Sequence, residues 1–210
     1  MMMWHLMAAA MLAGQGQGQV SPYHALENPP DPVAQRDELI ALYDEICLRA
    51  FPDDNAAAAA AARHDATPLS QSDVRRFLRN DPGIGWQLRG RTGRFDVTIE
   101  QNPPYHTCGV RTMTANGFEN LGPYRSLAAS YEQGRGFRPV NPMDGVVEGV
   151  HVYGAGEQRN GPGNSAEALL MFESRASDAA RLRGDTAVEV RFAHQYVGGP
   201  DADGSGKPDS

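Results

Sequence analysis

The chain has 210 residues, 40% of them hydrophobic, with 19 basic and 26 acidic side chains and a formal net charge of -7. That length suits one domain and is marginal for two. The acidic balance argues against a general nucleic-acid binder or a protein held on an anionic membrane surface. Lys207 is the only lysine, and so strong an arginine bias reads as genome composition and not as a binding patch.

Residues 1–19 read as a signal peptide. The apolar run Met1–Ala13 has the length of a signal-peptide core, shorter than the roughly 20 apolar residues a membrane span needs. It lacks Lys or Arg in front, small residues at Ala13, Gly14 and Gly16 offer cleavage sites, and no cysteine follows to carry a lipid anchor. Residues 20–30, with Pro22, Pro29 and Pro30, read as an extended or mobile polar linker. A single domain is then expected over 31–197, followed by a disordered acidic tail over 198–210.

Asp31 and Pro32 are suited to cap and open a helix. Leu39, Tyr43, Ile46, Cys47 and Ala50 recur at helical spacing, with Phe51-Pro52 ending the run. An alanine helix over Ala56–Ala62, capped from Asp53, Asp54 or Asn55, should be peripheral because alanine buries little. Ser70 opens a third helix with Val74, Phe77 and Leu78 inward.

From Gly85 the period changes to two. Trp86 and Leu88 mark one strand, and Phe95, Val97 and Ile99 mark another, with Asp96, Thr98 and Glu100 expected on its wet face. After Pro103-Pro104 a third strand carries His106, Cys108, Val110 and Thr112 on one face and Thr107 and Arg111 on the other. An amphipathic helix runs from Phe118 through Leu127 to about Gly134, and strands are expected at Val146–Tyr153, Ala166–Glu173 and Ala187–Val197. Gly154-Ala155-Gly156 and Gly161-Pro162-Gly163 read as the two ends of a mobile hairpin loop. The order predicts an α+β fold, a mainly antiparallel sheet of five to six strands with the N-terminal helices and one amphipathic helix on one face.

Cys47 and Cys108 both fall at core-facing positions, which together with export predicts a structural disulfide. The alternative is a pair of buried thiols. His106 with Asp96 or Glu100 is the nearest approach to a base–acid pair, so an envelope hydrolase using His106 is the alternative to a non-catalytic binding domain. His106 and Cys108, joined by His151 and His194, could form a metal site only if three strands converge and Cys108 is unpaired. Asp201, Asp203, Ser205 and Gly206 match the first half of an EF-hand loop, without its twelfth-position glutamate. Arg89, Arg91 and Arg94 cluster around one turn and could receive an anion, though the overall negative charge favours a solvated loop. Aromatics such as Tyr23, Tyr105, Tyr131 and Tyr196 could line a groove or fill a core. No cofactor is expected, and the partner is read as a protein or a small molecule.

The run Ile46-Cys47-Leu48-Arg49-Ala50-Phe51-Pro52-Asp53, followed by the alanine stretch and by Pro104-Tyr105-His106-Thr107-Cys108, resembles a family of small uncharacterised exported bacterial proteins. The resemblance covers roughly Asp31–Val197. It implies a periplasmic or secreted location and carries no activity, so the sequence leads to an exported soluble domain that binds a ligand or partner in the cell envelope.

Overall fold

The computed structural model describes residues 21–147 and 149–198. Residues 1–19, read as a signal peptide, residues 199–210 of the expected tail and the half EF-hand within it lie outside the described residues.

Helix α1 (Pro32–Leu42) starts where Asp31 Oδ1 accepts a hydrogen bond from Ala34 N at 2.7 Å. Tyr43–Ala50 continues it with wider, π-helical turns. Asp53 caps α2 (Asp54–Ala62) by accepting from Asn55 N and Ala56 N. This alanine helix is not peripheral: Ala57, Ala60 and Ala61 are all fully buried. Small side chains let α2 lie close against the π-helical turns, so burial here comes from proximity and not from bulk. Ser70 caps α3 (Gln71–Leu78), accepting from Asp73 N and donating to the Asp73 carboxylate.

Among the described residues the strands are β1 (Thr67–Pro68), β2 (Gly83–Arg89), β3 (Arg94–Asn102), β4 (Tyr105–Thr114), β5 (Arg138–Pro139), β6 (Met143–Val147), β7 (Val150–Asn160), β8 (Ala166–Ala176) and β9 (Val188–Val197). Helix α4 (Gly122–Glu132) follows β4, and the short α5 (Asp178–Arg181) precedes β9. All nine strands form one antiparallel sheet in the order β1-β2-β3-β4-β9-β8-β7-β5, with β6 also paired to β7.

The expected α+β fold with five to six strands is therefore corrected: the molecule is dominated by a single nine-stranded sheet with five short helices, open at both edges. Three strands account for the difference. The two-residue edge strands β1 and β5 each contain a proline and lack any alternating pattern. Val146–Tyr153, read as one strand, is a hairpin that turns just before Val150. Gly154-Ala155-Gly156 lies inside β7 and is not a loop end.

Alternation gives the sheet two distinct faces. Phe95, Val97 and Ile99 of β3, Cys108 and Val110 of β4, and Val190 and Phe192 of β9 point toward α1, α2 and α4 and form the main core. Gln35 anchors α1 to β4 by donating to Thr112 Oγ1 at 3.1 Å and to the Met113 carbonyl at 2.9 Å. The second face carries Asp96, Thr98 and Glu100 of β3, with Arg111 of β4 and Arg191 of β9. This face was expected to be wet. Instead α3 covers one side of it, and the stretch read as a linker covers another. Tyr23 is 5% exposed and packs with Val150, Val152 and Ala176, while Ala187 N donates to its carbonyl at 3.0 Å. No helix among the described residues is long and apolar enough to cross a membrane.

Candidate functional site

The register separates the residues that the sequence analysis grouped. Cys47 and Cys108 are joined in a disulfide with Cα atoms 5.4 Å apart, so Cys108 is not available as a ligand. His106 shares the helix-side face with Cys108, whereas Asp96 and Glu100 point to the opposite side of the sheet. The proposed His106 pairing with either carboxylate is corrected accordingly. Its actual partner is Asp54 of α2, with Nε2 2.9 Å from Oδ1, and its ring packs 4.5 Å from that of Phe51. His151 is exposed and 2.6 Å from Asp144 on the β6–β7 hairpin. His194 is fully buried between the Cys47 carbonyl and Glu167. The three histidines sit in separate places, and the described residues contain no cluster of three or more metal-ligating side chains.

Of the arginine cluster near the β2–β3 turn, Arg94 is held by the Asp96 carboxylate at 2.9–3.2 Å. The turn itself is pinned by Glu38 of α1, which accepts from Arg91 N and Thr92 N, each at 2.8 Å. A loop organised this way uses its donors internally, in keeping with a solvated turn more than with an anion receptor.

The principal concavity lies on the second face. It is a cleft of about 400 Å³ between α3 and the Pro22–Leu26 stretch, floored by β3, β4, β9 and β8. Its apolar walls include Tyr23, Leu26, Phe77, Met113, Val152 and Phe172. Five arginines line it against two carboxylates, Asp96 and Glu189. The local excess of positive charge runs against the negative charge of the whole chain.

Two of these arginines define the site. Arg111 and Arg191 are Cα partners directly opposite each other on β4 and β9. Like charges in that position repel. Arg111 is 5% exposed, donates from Nη2 to Thr98 Oγ1 at 3.2 Å, and lies 3.7 Å from Glu189 Oε1. Each guanidinium rests on an aromatic ring: Arg111 4.4 Å from the centroid of Phe77, and Arg191 4.5 Å from that of Phe172. Stacking supplies attraction that consumes no N–H donor. The Nε–H of both arginines is buried with no acceptor among the described residues. Burial first, and then the neighbouring Arg111 charge, bring the Arg191 pKa down to about 10, which leaves it charged at neutral pH. The site holds two guanidinium forks in an apolar setting, an arrangement matched to a planar carboxylate or another oxyanion.

Beyond the arginines, Glu100 is 2% exposed, and burial followed by the Asp81 charge raises its pKa to about 7. Asp96 is also raised by burial, with Arg94 opposing. Arg191 and Phe172 were not singled out from the sequence, and Phe77 was read only as an inward residue of its helix. The available signal was one arginine on each of two alternating strands, Arg111 and Arg191, which looked like ordinary solvent-facing residues. No protein-family model, no curated protein and no solved structure matches this chain.

Proposed function

We propose that this chain is an exported, non-catalytic binding domain whose cleft takes a small organic anion with an apolar body. The observation that carries the reading is the apposition of Arg111 and Arg191. A fold gains nothing by burying two like charges face to face. With Glu189 already 3.7 Å from Arg111, one ligand carboxylate would balance the remaining positive charge and accept from the guanidinium groups that line the cleft. The mostly apolar walls around this charged centre have the composition of a small-molecule site: hydrophobic contact area with a few polar groups to orient the ligand.

The location belongs to the same proposal. A disulfide that ties the first helical run to the middle of the sheet fits an oxidising compartment, in line with a periplasmic or secreted protein.

Calorimetric titration with octanoate tests the binding reading, because this probe has one carboxylate and an apolar chain. The unaltered protein should bind it at one site. Arg191→Gln should weaken binding by about ten- to a hundredfold, the value of one or two charge-assisted hydrogen bonds. Absence of binding, or equal binding by the variant, overturns the reading.

A further inference from the structure

The cleft does not end at the arginine pair. Phe77, Arg79, Phe172 and Arg191 also line a smaller recess of about 70 Å³, so the two spaces share a wall. The character of the recess is different. Glu100, Thr98, Thr107, Gln195 and Tyr105 bring hydrogen-bonding groups to it, over a floor that includes Gly109 and Ala193.

Glu100 is the group that calls for a ligand. Its Oε1 is buried and has no donor among the described residues, a state that is costly for a carboxylate. Two neighbouring side chains, Gln195 and Thr107, form a short relay to it. Gln195 Nε2 donates to Thr107 Oγ1 at 3.0 Å, and the Thr107 hydroxyl hydrogen-bonds to the Glu100 side chain. This short chain fixes the carboxylate and leaves the buried Oε1 as the acceptor without a partner among the described residues. The occupant must therefore bring a donor. Arg79 and Arg191 on the same walls disfavour a second cation, which selects a neutral donor over an ammonium group.

We propose that the recess is a hydroxyl subsite and that the ligand is a hydroxylated organic acid, with its carboxylate on Arg111 and Arg191 and its hydroxyl donating to Glu100. The inference rests on the anion-binding reading and narrows it. The register sets the spacing of the two groups. Glu100, Thr107 and Gln195 form one row across the sheet, and Arg111 and Arg191 form another four residues along the strands. At about 3.4 Å per residue the rows are roughly 13 Å apart at the backbone. Arg191 spans part of that gap, since it lines both spaces. The hydroxyl is thus expected toward the far end of the molecule and not beside the carboxylate.

Three matched probes test this: octanoate, 8-hydroxyoctanoate and 8-aminooctanoate, titrated into the oxidised full chain by calorimetry at a pH above 7, where Glu100 is ionised. 8-Hydroxyoctanoate should bind about tenfold more tightly than octanoate, the value of one hydrogen bond to a charged acceptor, and more tightly than 8-aminooctanoate. Glu100→Leu should remove the advantage of the hydroxyl while retaining octanoate binding, which reports that the fold and the arginine site survive. The comparison of the probes on the unaltered protein needs no variant. Equal affinity for octanoate and 8-hydroxyoctanoate, tightest binding of the amine, or a hydroxyl advantage that persists in Glu100→Leu each overturns the subsite while the anion site stands. Failure of all three probes to bind overturns both.

Discussion

The buried imidazole of His194 bridges two acceptors from distant parts of the chain: its Nδ1 lies 2.7 Å from the Cys47 carbonyl and its Nε2 lies 2.9 Å from Glu167 Oε1. Glu167 also accepts from Tyr131 at 2.7 Å and Tyr196 at 3.1 Å, and pairs with Arg159. The network joins the end of the first helical run, α4 and three adjacent strands. It sits on the face away from the cleft, and its role is to hold the layers together.

Burial alone would raise the Glu167 pKa, but the hydrogen bonds from His194, Tyr131 and Arg159 outweigh it and hold the carboxyl at about 2. A carboxyl depressed in the folded state stabilises the fold above its unfolded value of 4.5 and loses that contribution as pH falls toward 2. Glu167→Ala should cost about 3–5 kcal/mol at neutral pH, since it strands the partner charges. Urea unfolding at a series of pH values checks this. The gap between the two proteins should narrow on acidification below 4.5, and a gap independent of pH would contradict the assignment.

The disulfide closes a separation of 61 residues. In the chain-entropy treatment such a loop contributes about 4 kcal/mol, a large share of the roughly 5–15 kcal/mol that stabilises a whole domain. The Cys47→Ala/Cys108→Ala double variant should lose about that amount in denaturant titration. Native protein unfolded without reductant should take up no alkylating reagent at either cysteine. Labelling of both thiols in material recovered from the cell envelope would refute the bond and remove the physical support for export.

Particular residues show why the sequence was legible in some places and not in others. Local capping was readable because it depends on neighbours: Asp31, Asp53 and Ser70 all accept hydrogen bonds at helix starts. The long strands were readable from their alternation. The second face was misread because alternation distinguishes only apolar from polar. Asp96, Thr98 and Glu100 look identical in sequence whether they face water or lie beneath α3. The pairing of β4 with β9 brings together residues as far apart as Tyr105 and Val197. No local pattern encodes that neighbour, so the apposition of Arg111 and Arg191 emerges only with the register. The same holds for His106, whose partner Asp54 lies 52 positions away.

Glu100 should make stability fall as pH rises from 4.5 to about 7. Burial, then the Asp81 charge, raise its pKa from 4.5 to about 7, so the folded state binds more protons than the unfolded state between those values and loses stability as pH rises through them. Glu132 is raised to about 7 by burial and by Glu157, and acts in the same direction. The informative quantity is therefore the difference between the unaltered protein and Glu100→Gln. The variant should be more stable above pH 7, by about 1–3 kcal/mol, the cost of a buried polar group without its partner. It should show little advantage near pH 4.5. Thermal melts at both ends of the window decide the matter, and an equal advantage at both ends would rule out titration of Glu100.

Arg191 should carry opposite consequences for stability and for binding. Its guanidinium faces Arg111 across the sheet, and the Phe172 ring beneath it remains available to an apolar side chain. Arg191→Met removes a buried like-charge contact and keeps most of the volume. Removing one of two facing like charges relieves their repulsion. The variant should therefore melt at the same temperature as the unaltered protein or higher, while octanoate binding falls. A structural role for Arg191 would give the reverse: a lower melting temperature with binding reduced only through loss of folded protein. The Arg111→Met/Arg191→Met double variant separates these cases. If repulsion dominates, the second substitution adds less stability than the first, because the first has already relieved the contact, and the deviation from additivity measures the coupling between the two charges.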